Sequence, residues 1–234
     1  MAALNDGILM IEGVGLNGIR PCVRRSTAET RRRLMLVAEE LAATRGLGGL
    51  SARDIAKKAR LRNNVSVQYH FGSVEVMLRS LVQLRMKQLD EIRAEMLESG
   101  ARRALHLSVG ALVRMLCWPH VILARREGGR ATYAAFLCQY LPTEYPAGFD
   151  WVMHSPDPEL PALSCILAAL HERLPDFPAE IFHRRVTNAS LLFLNVIQGL
   201  PPKAFLDHER LEGDAIVQDA LRQSTAVILA PTAR

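Results

Sequence analysis

The chain has 234 residues, of which 49% are hydrophobic, so it can bury a full core as one two-part protein or as two small domains. Its positive charge is concentrated in residues 20–98, which contain 16 Lys and Arg against 9 Asp and Glu, whereas residues 99–234 contain 13 of each. This composition excludes a largely disordered chain and is typical of a polyanion-binding module joined to a neutral domain.

Cysteine spacing and hydropathy predict a cytoplasmic protein. The four cysteines, Cys22, Cys117, Cys138 and Cys165, include no CxxC pair, which favours reduced thiols over disulfides. No apolar run reaches the length of about 20 residues that a membrane-spanning helix needs, so we expect no membrane contact. Residues 1–25 lack the features of a signal peptide, and we interpret them as a flexible extension that ends in a basic arm.

A first amphipathic helix is predicted over residues 27–45. Ser26 and Glu29 form a capping box at its start, and Gly46 follows its last residue. Between these signals, apolar side chains recur at helical spacing at Leu34, Val37, Ala38 and Leu41. Three consecutive arginines, residues 31–33, point in different directions from this helix, and we expect one or two of them to reach phosphates.

The segment from residue 51 to residue 73, SARDIAKKARLRNNVSVQYHFGS, predicts two short helices joined by a polar turn. Ser51, followed three residues later by Asp54, caps the first helix, and Asn63 or Asn64 can cap the second. Such a pair is a helix-turn-helix, whose second helix offers side chains to base edges in the major groove of DNA. The alternative is a polar helix-loop-helix surface within another kind of all-helical protein.

Side chains in this segment suit contacts with DNA. Asn and Gln can each make a paired hydrogen bond to adenine, Arg can do so to guanine, and Ser, Tyr and His can reach phosphate oxygens. The candidate DNA-binding residues are Ser51, Arg53, Arg62, Asn63, Asn64, Ser66, Gln68, Tyr69 and His70.

Several features follow one another between residues 27 and 98. They are the first helix TAETRRRLMLVAEELAATRG, a Gly-rich loop, the stretch LSARDIAKKA, and a second short helix that ends in YHFGS before a long amphipathic helix. In their order and spacing these features resemble the DNA-binding domain of TetR-type transcriptional regulators. The resemblance implies that the helix-turn-helix binds a double-stranded DNA operator.

Three positions depart from the pattern of that family. Arg60 stands where the family usually has Gly, so either the turn is not left-handed or it carries about 1 kcal/mol of strain. The turn and second helix are one residue longer, which puts Gln68 at the place of the usual Tyr. Val74 replaces a common Lys and removes one expected phosphate contact.

The resemblance implies an all-α protein in two parts. An N-terminal three-helix helix-turn-helix DNA-binding domain would occupy residues 26–73, and a larger helical effector-binding and dimerisation domain would occupy residues 74–234. Helical periodicity agrees, because it predicts a long helix over residues 74–98 and no strand alternation rises above background. Further helices are predicted over residues 101–117, 130–141, 158–174, 178–200 and 212–230.

Prolines and one wide apolar face organise the second part. Trp118-Pro119 is expected to end a helix, and residues 142–161, with five prolines, are expected to form a loop. The helix over residues 178–200 is apolar on too many sides to have one exposed face. With the last helix it would form the four-helix interface of a homodimer, as the resemblance implies; the alternative is burial within one subunit.

The resemblance is also the only ground for expecting a small-molecule effector. Candidate ligand-binding residues are Leu112, Met115, Trp118, Phe136, Tyr140, Trp151 and Phe193. Candidate polar anchors are His120, His154, Gln139 and Asn188. Because the candidate lining is mostly apolar, we expect a largely apolar effector.

No catalytic or metal-binding constellation emerges from the sequence. His171-Glu172 lacks the second His of a zinc-protease helix, GVGLNG at residues 13–18 follows no strand, and neither a Ser elbow nor a P-loop occurs. We therefore expect neither an enzyme, nor a cofactor, nor a metal. The expected function is a transcriptional repressor that a ligand releases from a palindromic operator; the alternative is a helical protein-interaction module that does not bind DNA.

Overall fold

The computed structural model describes residues 27–61, 65–100, 107–144 and 159–231. In these ranges the chain folds into helices and contains no strand, which confirms the prediction of an all-α protein. The helices there are α1 (Thr27–Arg45), α2 (Ala52–Lys58), α3 (Ser66–Phe71), α4 (Val74–Gly100), α5 (Val109–Arg126), α6 (Thr132–Glu144), α7 (Pro161–His171), α8 (Ala179–Gln198), α9 (Pro202–Leu206), α10 (His208–Glu212) and α11 (Ala215–Leu229). A short 3₁₀ turn, Leu47–Gly49, follows α1.

Some predicted features lie outside the described residues: the N-terminal extension with its basic arm, the first capping serine, and most of the proline-rich loop. Pro142, which we expect in that loop, lies inside α6 instead. Two short helices, α9 and α10, are not predicted, since Pro201-Pro202 indicates a helix end. Pro202 instead occupies the first turn of α9, where a missing N–H costs no helical hydrogen bond.

The prediction that Trp118-Pro119 ends a helix is wrong, because α5 continues through Pro119. A proline inside a helix removes one backbone hydrogen bond and costs about 3 kcal/mol. Here the helix is buried on both sides of the proline, and burying side chains such as Leu116, Val121 and Leu123 offsets that cost. Tertiary packing therefore overrides the local signal for termination.

Helices α1 to α4 pack around a common apolar core. Helix α1 contacts α2 and α4, α2 contacts α3, and α3 contacts α4. Val76, which the periodicity places on the inner side of α4, is 45% exposed, because Met77 and Leu78 occupy the inner side at that turn. The side chains buried in this core include Leu34, Ala38, Leu41, Ile55, Val67, Phe71, Met77 and Leu81.

Helix α8 is packed among other helices of the same chain. It contacts α11 most extensively, and it also contacts α6 and α5. Phe182, Val186, Phe193 and Ile197 are buried between these neighbours, whereas Ile181 is 38% exposed. Helices of the same chain thus cover most of the wide apolar face of α8, which the sequence analysis assigns to a dimer interface. The homodimer stays a prediction.

A buried ion cluster connects α1, α4 and the end of α5. Arg85 of α4 is 1% exposed and donates from Nε and Nη2 to the two carboxylate oxygens of Glu39 in α1, at 2.6 and 2.8 Å. Its Nη2 also donates to Glu127 at 3.1 Å, and the Thr132 hydroxyl donates to Glu39 at 2.9 Å. Burial alone would lower the pKa of Arg85, but the hydrogen bonds to Glu39 and Glu127 raise it above its ordinary value.

A second polar contact attaches α6 to the end of α1. The side-chain amide of Gln139 donates to the carbonyl oxygen of Ala42 at 3.1 Å, and its oxygen accepts from the backbone N–H of Leu47 at 3.2 Å. Gln139 thereby gives the backbone N–H of Leu47 a partner and adds a second hydrogen bond to the Ala42 carbonyl, which already accepts from the backbone N–H of Gly46. Together with the ion cluster, it fixes α1 against both α4 and α6.

We expect Glu39→Gln to lower the free energy of unfolding by about 3 kcal/mol, because it leaves the buried Arg85 charge only partly compensated. The matched control is Glu40→Gln, which breaks an exposed ion pair with Lys58 at 2.8 Å. That control should change stability by less than about 0.5 kcal/mol. Chemical denaturation of both variants measures the difference. Equal effects would show that the buried cluster does not stabilise the fold.

Candidate nucleic-acid interface

Helix α2 has a capped start, and a tight turn follows its last residue. The hydroxyl of Ser51 accepts a hydrogen bond from the backbone N–H of Asp54 at 3.1 Å and donates to the Asp54 carboxylate at 2.7 Å, as the capping pattern predicts. After α2, Leu61 N–H donates to the carbonyl of Ala56, and Arg60 has a φ of +52°. The turn is therefore left-handed, and a non-glycine residue occupies its strained position.

Helix α3 begins at Ser66, and Val65 takes the N-cap position without a side-chain cap. The N-cap position of α3 is therefore at least one residue later than the sequence predicts, since Asn63 and Asn64 both precede Val65. These two residues and Arg62 lie outside the described residues, so three of the nine candidate DNA contacts have no assigned geometry.

The two sides of α3 differ sharply in exposure. Val67 and Phe71 point into the core and are 1% and 7% exposed. On the other side, Gln68 is exposed and Tyr69 has 81% of its surface accessible. The ring of His70, which is half-buried, meets the Tyr69 ring edge-on with centroids 5.0 Å apart. Helix α3 thus presents polar and aromatic side chains outward from a firmly buried base.

Arg31 of α1 holds the end of α3 in place. Its guanidinium donates a hydrogen bond to the backbone carbonyl oxygen of His70 and lies 4.1 Å from the centroid of the Phe71 ring. A cation over an aromatic face adds to the hydrogen bond. Of the three arginines in residues 31–33, this one consequently serves α3 and not a phosphate.

The remaining candidates on the surface of α2 and α3 fall into two groups. Arg53 is exposed, as are Lys57 and Arg60, so α2 and the turn after it present basic side chains to solvent. Ser66 is half-buried, and the Ser51 hydroxyl already pairs with Asp54. The basic and outward-facing set is therefore the one best placed to meet a polyanion.

A cavity lies among α4, α5, α6, α7 and α8, with about 40 Å³ open to water-sized molecules. Its lining is mostly Leu, Val and Met, with three polar residues, Arg93, His120 and Ser190. The full lining is Met86, Arg93, Leu116, His120, Leu137, Leu141, Leu163, Leu167, Val186, Ser190 and Leu194. Of the candidates for ligand contact, only the polar anchor His120 belongs to it.

The other ligand candidates lie elsewhere. Trp151 and His154 are outside the described residues, Asn188 is exposed, and Gln139 binds the end of α1. The remaining candidates that do not line this cavity are Leu112, Met115, Trp118, Phe136, Tyr140 and Phe193. Their immediate neighbours Leu137, Leu141 and Leu194 do line it. Successive side chains of a helix point about 100° apart, so a prediction that is wrong by one position selects a side chain that points away from the cavity.

Two of the cysteines are wholly or partly buried thiols. Burial raises the pKa of the Cys117 thiol to about 12 and that of Cys138 to about 11, so both stay protonated at neutral pH. Across the described ranges, no three His, Cys, Asp or Glu side chains converge where a metal ion could bind. Nor is any helix of those ranges long and apolar enough to span a bilayer.

Comparison with known proteins adds no family assignment. No family model matches the chain, and no curated protein matches it significantly. Function must therefore be inferred from the residues themselves, above all from the outward face of α3 and from the cavity.

Replacing Arg60 with Gly should stabilise the protein by about 0.5–1 kcal/mol, because Gly adopts a positive φ without the steric cost that a Cβ imposes. Arg60→Ala keeps the Cβ and is the matched control, which should bring no such gain. Urea denaturation of the two variants and the parent protein provides the measurement. If Ala stabilised as much as Gly, the backbone explanation would be wrong and the arginine side chain itself would be unfavourable.

Proposed function

We propose that this protein is a sequence-specific DNA-binding transcriptional regulator of the TetR type, acting as a repressor that a small, largely apolar ligand releases from a palindromic operator. The observation that carries the proposal is the outward face of α3. Gln68 and Tyr69 are exposed there, on a helix whose opposite side is buried and whose end is held by Arg31.

The exposure of Gln68 and Tyr69 is better explained by contact with a partner molecule than by the solubility of the protein. A tyrosine that leaves 81% of its surface in water gives up the burial that usually accompanies an aromatic ring. Beside it, the amide of Gln68 can pair with both hydrogen-bonding groups of an adenine edge. A short helix fixed at its base and polar at its tip has the form that enters a major groove.

Charge supports the same partner. The segment from residue 20 to residue 98 carries a net charge of +7, and Arg53, Lys57 and Arg60 are exposed on and beside α2. Glu39, one of the acidic residues of α1, is buried with Arg85 and does not oppose that field at the surface. The exposed cations would hold phosphates while α3 contacts bases.

A regulator must couple its ligand site to its DNA-binding surface. The cavity shares α4 and α6 with the contacts that hold α1, namely Arg85 with Glu39 and Gln139 with Ala42. A ligand that prefers one arrangement of these helices would therefore change the placement of α1 and, through it, of α3. In a homodimer this changes the separation of two recognition helices and hence the fit to two half-sites about one DNA turn apart.

The proposed dimer would form through α8 and α11. Each helix leaves part of its outer side apolar, since Ile181 is 38% exposed on α8 and Ile216 and Leu229 are 61% and 48% exposed on α11. Joining two such pairs would make a four-helix interface, the arrangement that a two-fold dimer favours.

The test is a selection of bound duplexes from a random DNA pool by the purified full chain at about physiological salt, where non-specific binding is weak. An enriched inverted repeat is the expected result and would supply the operator. Absence of enrichment, from folded protein with and without cell extract, would contradict the proposal and favour a protein-interaction module.

On the selected operator, Gln68→Ala should reduce the preference over random DNA by about 1–3 kcal/mol, because it removes a paired contact to a base. Gln83→Ala, which removes an exposed amide on α4, is the matched control and should leave binding unchanged. Titrations of specific and random duplexes measure both affinities.

Arg53→Ala should instead weaken specific and random duplexes alike and lower the salt dependence of binding, because a phosphate contact carries no sequence information. The same titrations, repeated at several salt concentrations, measure this effect. If Arg53→Ala and Gln68→Ala had the same profile, the division between phosphate and base contacts would be incorrect.

A further inference from the structure

The cavity contains a buried charge that has no ion-pair partner among the described residues. Arg93 of α4 lines it and is 4% exposed. Its Nη2 donates to the carbonyl oxygen of Leu116 at 3.3 Å, but Nε and Nη1 have no hydrogen-bond partner. Buried polar atoms in folded proteins are nearly always paired, so these two donors are available to a ligand.

The guanidinium stays positive in spite of its surroundings. Burial lowers the pKa of Arg93 to about 10, and the negative charge of Asp90 opposes that effect. Burial also raises the pKa of Cys117 to about 12 and the pKa of Tyr133 well above its ordinary value. At neutral pH the thiol and the phenol are therefore neutral, and neither of them supplies a counter-ion.

Asp90, the acidic residue three positions before Arg93 on α4, is occupied elsewhere. One of its carboxylate oxygens accepts from the backbone N–H of Leu163 at 2.6 Å, and the other accepts from Ala162 at 3.2 Å. Asp90 thus caps the start of α7, which has no cap of its own because Leu160 is the N-cap residue. Its negative charge raises the pKa of Arg93 from a distance, without forming an ion pair.

A second polar group faces the same cavity. His120 of α5 is 5% exposed, its ring stacks on that of Tyr133 with centroids 5.8 Å apart, and its Nδ1 has no hydrogen-bond partner. Burial, together with the charge of Arg93, lowers the pKa of His120 to about 3, so the imidazole is neutral. The cavity therefore combines the positive charge of Arg93, the neutral imidazole of His120 and walls of Leu, Val and Met, while the Ser190 hydroxyl donates to the carbonyl oxygen of Val186.

We infer that the effector is a monocarboxylate with a short apolar body. Its carboxylate would accept hydrogen bonds from Arg93 and from the Nδ1 side of His120, and its carbon chain would contact the apolar wall. A single positive charge matches a monoanion, and the Leu, Val and Met side chains of the wall match a short carbon chain. This inference rests on the proposed function, since it assigns the chemical class of the ligand that the regulator would sense.

The position of Arg93 also provides a route to α1. It lies eight residues after Arg85 on the same helix, or about 12 Å along the axis. Met86, the neighbour of Arg85, lines the cavity directly. Filling the cavity and neutralising Arg93 would therefore act on the turns of α4 that hold Glu39 of α1.

The test is calorimetric titration of the full chain with hexanoate and, as a neutral probe of the same length, with hexanol. We expect hexanoate to bind about 10- to 100-fold more tightly, because charge-assisted hydrogen bonds form only with the anion. Equal binding of the two probes, or no binding of hexanoate, would overturn the inference.

Arg93→Met should abolish the preference for hexanoate while leaving hexanol binding within a few-fold. Arg126→Met is the matched control. It removes an exposed arginine at the end of α5, which pairs with Glu95 of α4 at 2.6 Å, and it should keep the full preference for hexanoate. Thermal melting controls for folding, and Arg93→Met should melt no lower than the parent, because it removes an uncompensated buried charge. Retained preference in Arg93→Met would place the anion elsewhere and overturn the inference.

Operator binding separates this inference from the proposed function. The expected result is that hexanoate weakens operator binding by the parent protein and by Arg126→Met, but not by Arg93→Met. Arg93-dependent hexanoate binding with unchanged operator affinity would support the anion site and overturn its regulatory role. An operator that is bound, with no preference for hexanoate over hexanol, would overturn the anion site and leave the DNA-binding function standing.

Discussion

The contact between Arg85 and Glu39 is the constraint on which the placement of α1 against the other helices depends. It joins the first helix to the long helix α4 in a nearly water-free environment, and Glu127 and Thr132 extend it to α5 and α6. Ions in such a place do not add much stability beyond what apolar residues would give, but separating them is costly. When α1 moves, α4 must therefore move with it, because otherwise Arg85 and Glu39 would separate.

That constraint gives the long helix a mechanical role. Along one side, α4 carries Arg85, which binds α1, and Arg93, which faces the cavity. Between them, Asp90 holds the start of α7. A rigid helix that contacts three parts of the molecule at separate turns transmits a displacement at one turn to the others, since packed interiors deform little.

Much of the helical fold could be predicted from the sequence, because apolar periodicity and caps are local signals. They give α1 its bounds and identify α4 and the capped start of α2 at Ser51. Proline signals were less reliable, since α5 continues through Pro119 under the influence of its burial, a property of the whole fold. The same holds for α9, where Pro202 begins a helix.

The polar residues of the interior were harder to find, although the sequence contains a trace of them. Leu81, Arg85, Leu89 and Arg93 follow one another at intervals of four on the inner side of α4, so two arginines interrupt an apolar stripe. Periodicity alone cannot give their partners, because Glu39 lies in a different helix. Large aromatic residues are also a poor guide to the cavity lining, since bulky rings such as Phe136 and Phe193 fill space and leave cavities beside smaller neighbours.

The anchoring of α3 has a consequence for how such a molecule can change over time. Val67, Phe71 and the grip of Arg31 on the backbone carbonyl of His70 fix this helix without using Gln68 or Tyr69. Substitutions at the two outward positions therefore cost little folding energy. Descendants of this chain can therefore vary the chemistry of this exposed face through those positions while the rest of the architecture stays untouched.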